Sequence, residues 1–251
     1  MRVACGLFLL AAAIVAAQER NFVACPIVRD TKTVPCFLAE YDGELYFLGI
    51  QQDITAEFHP PQLKHKVLVE GRVAEGPRVC GGIPLKPLSI STLKEVDLAC
   101  NTLLPPEPDI EAPPAARGAG PASQRLITEA APPSETLAGR QEFTVLFAFD
   151  DDYVEFGSTG TVRRAAAYAT APSGRGSAGV RVTGYRATSL LSNGERLVEK
   201  PGLAEKRAKA IATLLEGLGV AAVRTDWKME SEPADGKTDP SQRRVTIEVI
   251  P

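Results

Sequence analysis

The sequence predicts an α+β protein built from two folded units of unlike type. The first half carries short alternating strand patterns, turn residues and cysteines, whereas the second half alternates strand and helix patterns. Between them, residues 105–140 are rich in proline and alanine and poor in large apolar residues. With 44% hydrophobic and 24% charged residues, the 251-residue chain can bury a core in each unit.

The chain begins with a segment typical of a secretory signal peptide. Residues 1–17 combine one positive charge at Arg2, an apolar run and small residues at the end. The apolar run is too short to cross a bilayer comfortably, so cleavage after Ala17 is expected, with an uncleaved short anchor as the alternative. The sequence therefore predicts an exported protein.

The first unit, residues 18–104, has the pattern of a β-rich domain. Asp42-Gly43 separates two strand-like runs and is a strong hairpin signal. Residues 66–73 alternate as a strand, with Gly71 where a curved strand would bend. Short strands of this kind predict a small barrel or OB-like domain.

Four cysteines remain once the first 17 residues are set aside, and all of them lie in this unit: Cys25, Cys36, Cys80 and Cys100. In an oxidising compartment they predict two disulfides. Three pairings are open; we favour Cys25 with Cys36 and Cys80 with Cys100, because each pair closes a short local loop. No C-x-x-C spacing supports a zinc site, and no cofactor is predicted.

Residues 105–140 are expected to form an extended linker. Fully stretched in the polyproline conformation, a segment of this length would span on the order of 100 Å. The sequence therefore predicts that the linker holds the two units apart.

The second unit, residues 141–251, has the predicted order β-α-β-α-β-β, with helices over one face of a mixed sheet in two layers. The predicted elements are a strand over 143–149, a helix over 158–171 opened by Ser158, a strand over 180–184, a polar loop over 188–202, a helix over 203–218 ended by Gly219, and strands over 223–229 and 245–249.

Arg207 is the first candidate for chemistry in this unit. It lies four residues after Leu203 and four before Ile211, so it falls on or beside the apolar stripe of its helix. A guanidinium group there must find an anion or reach water. Two interpretations stay open: Arg207 pairs with an internal Asp or Glu, or it binds the carboxylate of a ligand near the helix N-terminus.

The second unit resembles the OmpA-like peptidoglycan-binding domains of bacterial envelope proteins over nearly all of residues 143–250. Four motifs carry the resemblance: Val145-Leu146-Phe147-Ala148-Phe149-Asp150; Leu203-Ala204-Glu205-Lys206-Arg207-Ala208, close to L-S-x-x-R-A; Glu230-Ser231-Glu232-Pro233, close to G-E-x-x-P; and Gln242-Arg243-Arg244-Val245-Thr246-Ile247, close to N-R-R-V-x-I. They occur in the family's order on the expected elements.

The resemblance implies non-covalent binding of the meso-diaminopimelate stem peptide of peptidoglycan. In the family, an arginine at the position of Arg207 takes the carboxylate, and an aspartate in a G-H-T-D motif takes the ammonium group. Here the aspartate position is Ala187, and Arg186 adds a positive charge beside it. The resemblance thus supplies the first half of the site and leaves the second half open.

The loop that follows offers substitutes for the missing aspartate. Glu195 and Glu199 are the candidate carboxylates, and Asn193 is a candidate polar contact. Arg244 is a candidate to frame the site, whereas Arg243 or Arg244 is expected to be a surface charge.

These patterns favour a non-catalytic periplasmic protein, associated with the outer membrane or cell wall, that binds peptidoglycan through its second unit and an envelope protein through its first. The alternative is a degenerate OmpA-like module with a structural or protein-interaction role. Lys plus Arg total 28 against 31 Asp plus Glu, which argues against a nucleic-acid partner. Neither His59 nor His65 lies near a nucleophile motif, so no enzyme is predicted.

Overall fold

The computed structural model describes residues 18–51, 61–114, 139–171, 179–221, 223–229 and 240–250. The predicted signal peptide, the 230–233 motif, His59 and most of the predicted linker lie outside the described residues. Within those described ranges, no helix is long and apolar enough to cross a membrane.

The first unit is a seven-stranded sheet. Its strands are β1 (Glu19–Ala24), β2 (Pro26–Arg29), β3 (Cys36–Tyr41), β4 (Glu44–Ile50), β5 (His65–Val73), β6 (Ile83–Val96) and β7 (Thr102–Leu104), in the order β1-β5-β6-β4-β3-β2-β7. β1 and β2 are consecutive halves of one strand interrupted at Cys25. β1 pairs with β5, whereas β2 pairs with β3, so this one long strand joins the two sides of the sheet. The sheet therefore curls into a partly open ring of five strands, in which β4 and β6 run parallel.

Two predicted glycine-dependent features are present in this sheet. The hairpin between β3 and β4 turns at Asp42 and Gly43, whose φ angles are 54° and 73°. The pairing of β5 with β6 shifts register between Gly71 and Val73. A Cβ atom on Gly71 would lie 2.7 Å from the Pro87 carbonyl oxygen, so the close approach of the two strands requires glycine.

The four cysteines form two disulfides, but the predicted pairing is wrong. The structure joins Cys25 to Cys100 and Cys36 to Cys80. In the antiparallel pair of β2 with β3, Cys36 lies opposite Arg29, while Pro26 lies opposite Ala39. Cys25 therefore lies about 13 Å from Cys36 along the strand, beyond the reach of a disulfide.

Loss of either disulfide should destabilise the chain by about 2–4 kcal/mol. The Cys25–Cys100 bond spans 75 residues and the Cys36–Cys80 bond spans 44. In the loop-entropy account, replacing the first pair by serine should cost roughly 0.5 kcal/mol more than replacing the second. Urea unfolding of the two double-serine variants under oxidising conditions measures both losses; a larger loss for the 44-residue loop would contradict that account.

The second unit has the predicted β-α-β-α-β-β order around a four-stranded sheet. Its elements are β8 (Gln141–Leu146), α1 (Phe156–Thr170), β9 (Gly179–Arg186), β10 (Thr188–Leu190), β11 (Arg196–Val198), α2 (Leu203–Gly217), β12 (Val223–Met229) and β13 (Arg244–Ile250). The main sheet has the order β12-β9-β13-β8, and β10 pairs with β11 as a separate hairpin. Both helices pack on the main sheet.

Several element bounds differ from the prediction. The region predicted as a polar loop, 188–202, contains the β10–β11 hairpin. Helix α1 begins at Phe156, before Ser158, because the Ser158 N–H already donates to the Glu155 carbonyl oxygen. Helix α2 ends as predicted, with Gly219 at a φ of 89° and its N–H bonded to the Glu216 carbonyl oxygen.

The two units are in direct contact, so the expectation that the linker holds them apart is wrong. Strand β5 is buried on both faces: Val67 and Val69 belong to the core of the first unit, whereas Leu68 packs with Phe149 and Leu191 of the second. Phe149 thus lies past the end of β8 and contacts the neighbouring unit, although the sequence predicts that the strand continues to residue 149.

Candidate functional site

Helix α2 brings Arg207 into the interior of the second unit. The helix starts directly against β9, since a Cβ atom on Gly184 would lie 2.0 Å from the Ala204 carbonyl oxygen. Its apolar stripe, which includes Leu203 and Ile211, is buried against the sheet. Arg207 lies on this stripe with a relative exposure of 0%, and its guanidinium group lies 4.9 Å from the centre of the Phe147 ring.

All five N–H groups of the Arg207 guanidinium donate hydrogen bonds within the chain. Three go to backbone carbonyl oxygens: Nε to Asp151 at 2.8 Å, Nη1 to Tyr185 at 2.9 Å and Nη2 to Ala148 at 2.9 Å. The other two go to the carboxylate of Glu199, from Nη1 to Oε2 at 2.9 Å and from Nη2 to Oε1 at 2.6 Å. The pair is therefore bidentate, the strongest geometry for an arginine and a carboxylate.

The carboxylate oxygens of Glu199 accept two further hydrogen bonds, from backbone N–H groups. Its Oε1 also accepts the Asp150 N–H at 2.8 Å, and its Oε2 accepts the Ala187 N–H at 2.8 Å. The residue is 1% exposed. Four donors from three separate segments thus converge on one buried carboxylate, and a carboxylate offers about four such acceptor positions.

This arrangement is a carboxylate site that the chain fills with its own side chain. The three carbonyl oxygens hold the guanidinium in place independently of Glu199, and the two backbone N–H groups belong to segments on either side of it. Of the two interpretations open for Arg207, the geometry corresponds to pairing with an internal acid. Binding of a ligand by Arg207 stays a prediction.

The other predicted site residues lie at different places. Asn193 and Glu195 occupy the exposed turn of the β10–β11 hairpin and bond to each other, with Nδ2 of Asn193 2.9 Å from Oε2 of Glu195. Arg244, at the start of β13, stacks over the ring of Tyr185 at 4.3 Å. Their roles in binding also stay predictions. Of the two acids in the loop, Glu199 is the one brought to Arg207.

A second buried ion pair joins the two units, and sequence reasoning missed it. Nη1 of Arg243 donates to Oε1 of Glu70 at 3.0 Å and to Oγ of Ser189 at 3.0 Å, and Nη2 donates to Oε2 of Glu70. The Ser189 hydroxyl donates in turn to Glu70 at 2.8 Å. Both charged residues are almost completely buried, so Arg243 is not a surface charge. Three consecutive apolar residues, Val67, Leu68 and Val69, precede Glu70, and they break the alternation expected of a strand that is covered on one face.

Two further ion pairs join the units, from Lys200 to Glu95 and from Lys94 to Asp151. Nζ of Lys200 lies 2.7 Å from the Asp150 carboxylate and 3.3 Å from that of Glu95 in the first unit. Lys94 of the first unit pairs with Asp151 at 3.0 Å. Hydrogen bonds to Asp150 and then Glu95 raise the pKa of the Lys200 ammonium above its ordinary value. A backbone hydrogen bond, followed by the Lys200 side chain, lowers the pKa of the Glu95 carboxyl below its ordinary value of 4.5.

Acid should weaken the contact of Glu95 with Lys200. Because the pKa of Glu95 is lower in the folded chain, its contribution to stability is present above pH 4.5 and is lost as the pH falls through the lowered value. The effect is small, since both groups are exposed. We expect Glu95→Gln to remove this part of the acid dependence, as measured by urea unfolding between pH 3 and 7. Identical pH profiles for the two proteins would contradict the assignment.

Comparison with known proteins finds likeness in structure only. No protein-family model and no curated protein matches the chain. The chain is similar to the OmpA-like domain of FopA1 from Francisella tularensis subsp. tularensis SCHU S4, with 20% identity, a TM-score of 0.31 and coverage of 45% of this chain and 73% of that one. It is similar to the cell wall anchor of the T6SS from Pseudomonas aeruginosa, with 23% identity, a TM-score of 0.32 and coverage of 45% and 82%.

A third similar structure is the periplasmic domain of MotB (residues 64–256), with 15% identity, a TM-score of 0.32 and coverage of 57% of this chain and 89% of that one. The three matches cover between 45% and 57% of this chain, and the first of them is an OmpA-like domain. These likenesses concern the fold alone.

Proposed function

We propose that this chain is an exported, non-enzymatic protein of the bacterial cell envelope whose second unit is an OmpA-like module with a structural or protein-interaction role. One observation carries the proposal: Glu199 satisfies the Arg207 guanidinium within the chain, so no N–H group remains for an external carboxylate. The two disulfides support an oxidising, periplasmic location.

The first unit contributes a second surface to the proposed function. The ring in which β4 and β6 run parallel supports assignment to the OB-like class. One side of the ring, around Leu68 and Glu70, packs on the second unit. The remaining surface is then the part that could contact an envelope protein, in line with the partner predicted from the sequence.

Peptidoglycan binding through Arg207 is the second candidate function. It is favoured by the chemistry of the site, because a bidentate arginine and two backbone N–H groups form the kind of receptor that the carboxylate of a diaminopimelate stem requires. Arg244 would frame this site from the Tyr185 ring, with Asn193 and Glu195 as outer contacts. Binding of this kind requires Glu199 to leave Arg207.

Sedimentation of the full chain with insoluble peptidoglycan separates the two candidates. We expect the wild-type protein to be retained no more than an unrelated acidic protein of similar size. Arg244→Ala and Asn193→Ala serve as matched variants, because both side chains lie outside the buried core and their loss should leave the fold intact. Saturable retention of the wild type that falls in Arg244→Ala would contradict our proposal and support peptidoglycan binding.

A further inference from the structure

The segments that build the Arg207 site also carry the contacts between the two units. Residues 147–152 supply two of the carbonyl oxygens that hold Arg207 and one of the N–H groups that bind Glu199. Residues 185–199 supply the third carbonyl oxygen, the second N–H group and Glu199 itself. Both segments are bonded to the first unit by direct hydrogen bonds.

Adjacent backbone groups contact the first unit and Glu199. The Phe149 N–H donates to Ser91 Oγ of the first unit at 2.8 Å, and the next N–H, of Asp150, donates to Glu199 at 2.8 Å. In the other segment, Ser189 bonds to Glu70 of the first unit two residues after the Ala187 N–H bonds to Glu199. Movement of the β10–β11 hairpin away from the first unit would therefore act directly on Glu199, which follows β11 in the chain.

The hairpin that precedes Glu199 depends on the first unit for support. Its strands, β10 and β11, have three residues each, and a two-stranded hairpin of this size is at best marginally stable alone. Its apolar residues Leu191 and Leu197 pack in the cluster around Leu68. The Ser192 N–H donates to the Asn21 carbonyl oxygen at 2.7 Å, and the Asn21 N–H donates back to Ser192 Oγ at 2.9 Å.

We propose that the first unit is an internal clamp that keeps Glu199 on Arg207, and that separation of the units releases Glu199 and opens the carboxylate site. The inference rests on the proposed function, in which Glu199 is the internal occupant of that site. In the released state, Arg207 stays bonded to its carbonyl oxygens and presents two N–H groups, beside those of Asp150 and Ala187, to a carboxylate from outside the chain. The protein is thereby a module whose anion site is opened by whatever displaces its first unit.

Residue-resolved hydrogen exchange on the full chain tests the clamp. Glu70→Lys places a like charge against Arg243, and Leu68→Lys places a charge in the apolar contact; both favour separation. Glu44→Lys is the matched control, because Glu44 is an exposed residue of the same unit that pairs with Arg78 on the surface. The Phe149 amide reports contact between the units, the Asp150 and Ala187 amides report the Glu199 site, and the amides of β13 report the fold of the second unit.

The clamp predicts that Glu70→Lys and Leu68→Lys accelerate exchange at Phe149, Asp150 and Ala187 together, by about tenfold or more, while β13 and the Glu44→Lys control stay protected. Faster exchange at Phe149 alone would overturn the proposal. So would unchanged exchange in both variants, or loss of protection throughout β13, since a clamp must be releasable without unfolding the second unit. Unchanged exchange at Asp150 contradicts the clamp alone, whereas retention of the wild type on peptidoglycan contradicts the proposed function.

Discussion

Replacing Glu199 by alanine should lower the free energy of unfolding by about 3–5 kcal/mol, because it leaves the buried Arg207 charge without its anion. Two backbone N–H groups lose their acceptor in the same change. For a chain of this size the loss corresponds to a fall in Tm of roughly 6–20 °C. Thermal unfolding of the full chain measures it directly; a loss below about 1 kcal/mol would show that the pair is not buried as described.

Acetate should restore part of that stability. The alanine variant leaves space next to a guanidinium that three carbonyl oxygens still hold, so a free carboxylate can take the vacated position. Each tenfold rise in acetate above its Kd should then add about 1.4 kcal/mol. Chloride at equal ionic strength, and Glu199→Gln, in which the amide fills the space, are the controls. Equal responses to acetate and chloride would show that the site is not a receptor apart from Glu199.

The second large effect is expected at the ion pair between the units. Arg243→Met leaves the Glu70 carboxylate buried with Ser189 as its one remaining side-chain donor among the residues that the structure describes, and should cost about 3–5 kcal/mol. Adding Glu70→Leu removes the remaining charge. The double variant should therefore be more stable than the sum of the two single losses predicts, because replacing a whole buried ion pair by apolar residues is often neutral or stabilising.

A double-mutant cycle from urea unfolding isolates this interaction. We expect a coupling energy of about 1.5–3 kcal/mol between Glu70 and Arg243, the upper part of the range for residues in contact. The exposed pair of Lys66 with Asp97 is a matched comparison in the first unit and should give a coupling of about 1 kcal/mol or less. Additive losses at Glu70 and Arg243 would mean that the units do not pack through this pair.

Local patterns in the sequence were sufficient for the helix that carries Arg207. The spacing of apolar residues about Arg207 and the glycine after α2 are properties of one helix, and they predict its bounds and its buried face. The same spacing cannot identify the anion, because a helical period says which face is inside and not what lies opposite. Glu199 and Glu195 both follow β9, and only the path of the β10–β11 hairpin decides between them.

Contacts between distant segments were not predictable in this way. Arg243 and Glu70 are 173 residues apart, and nothing near either one in the sequence reflects the other. The disulfides failed for a related reason: a short loop is favoured by chain entropy, but strand register decides which cysteines meet. The linker composition predicts an extended segment, and it contains no information on whether the units at its two ends attract each other.

The covalent connection through residues 105–140 makes the contact between the units a unimolecular event. A tethered partner of this kind is present at an effective concentration of about 1 mM, whatever the concentration of the protein. An interface with an intrinsic Kd of about 10 μM would then be closed in about 99% of molecules. A competing partner that binds the separated first unit must be present at about a hundred times its own Kd to open half of the molecules. The tether therefore sets the partner concentration at which the two units separate.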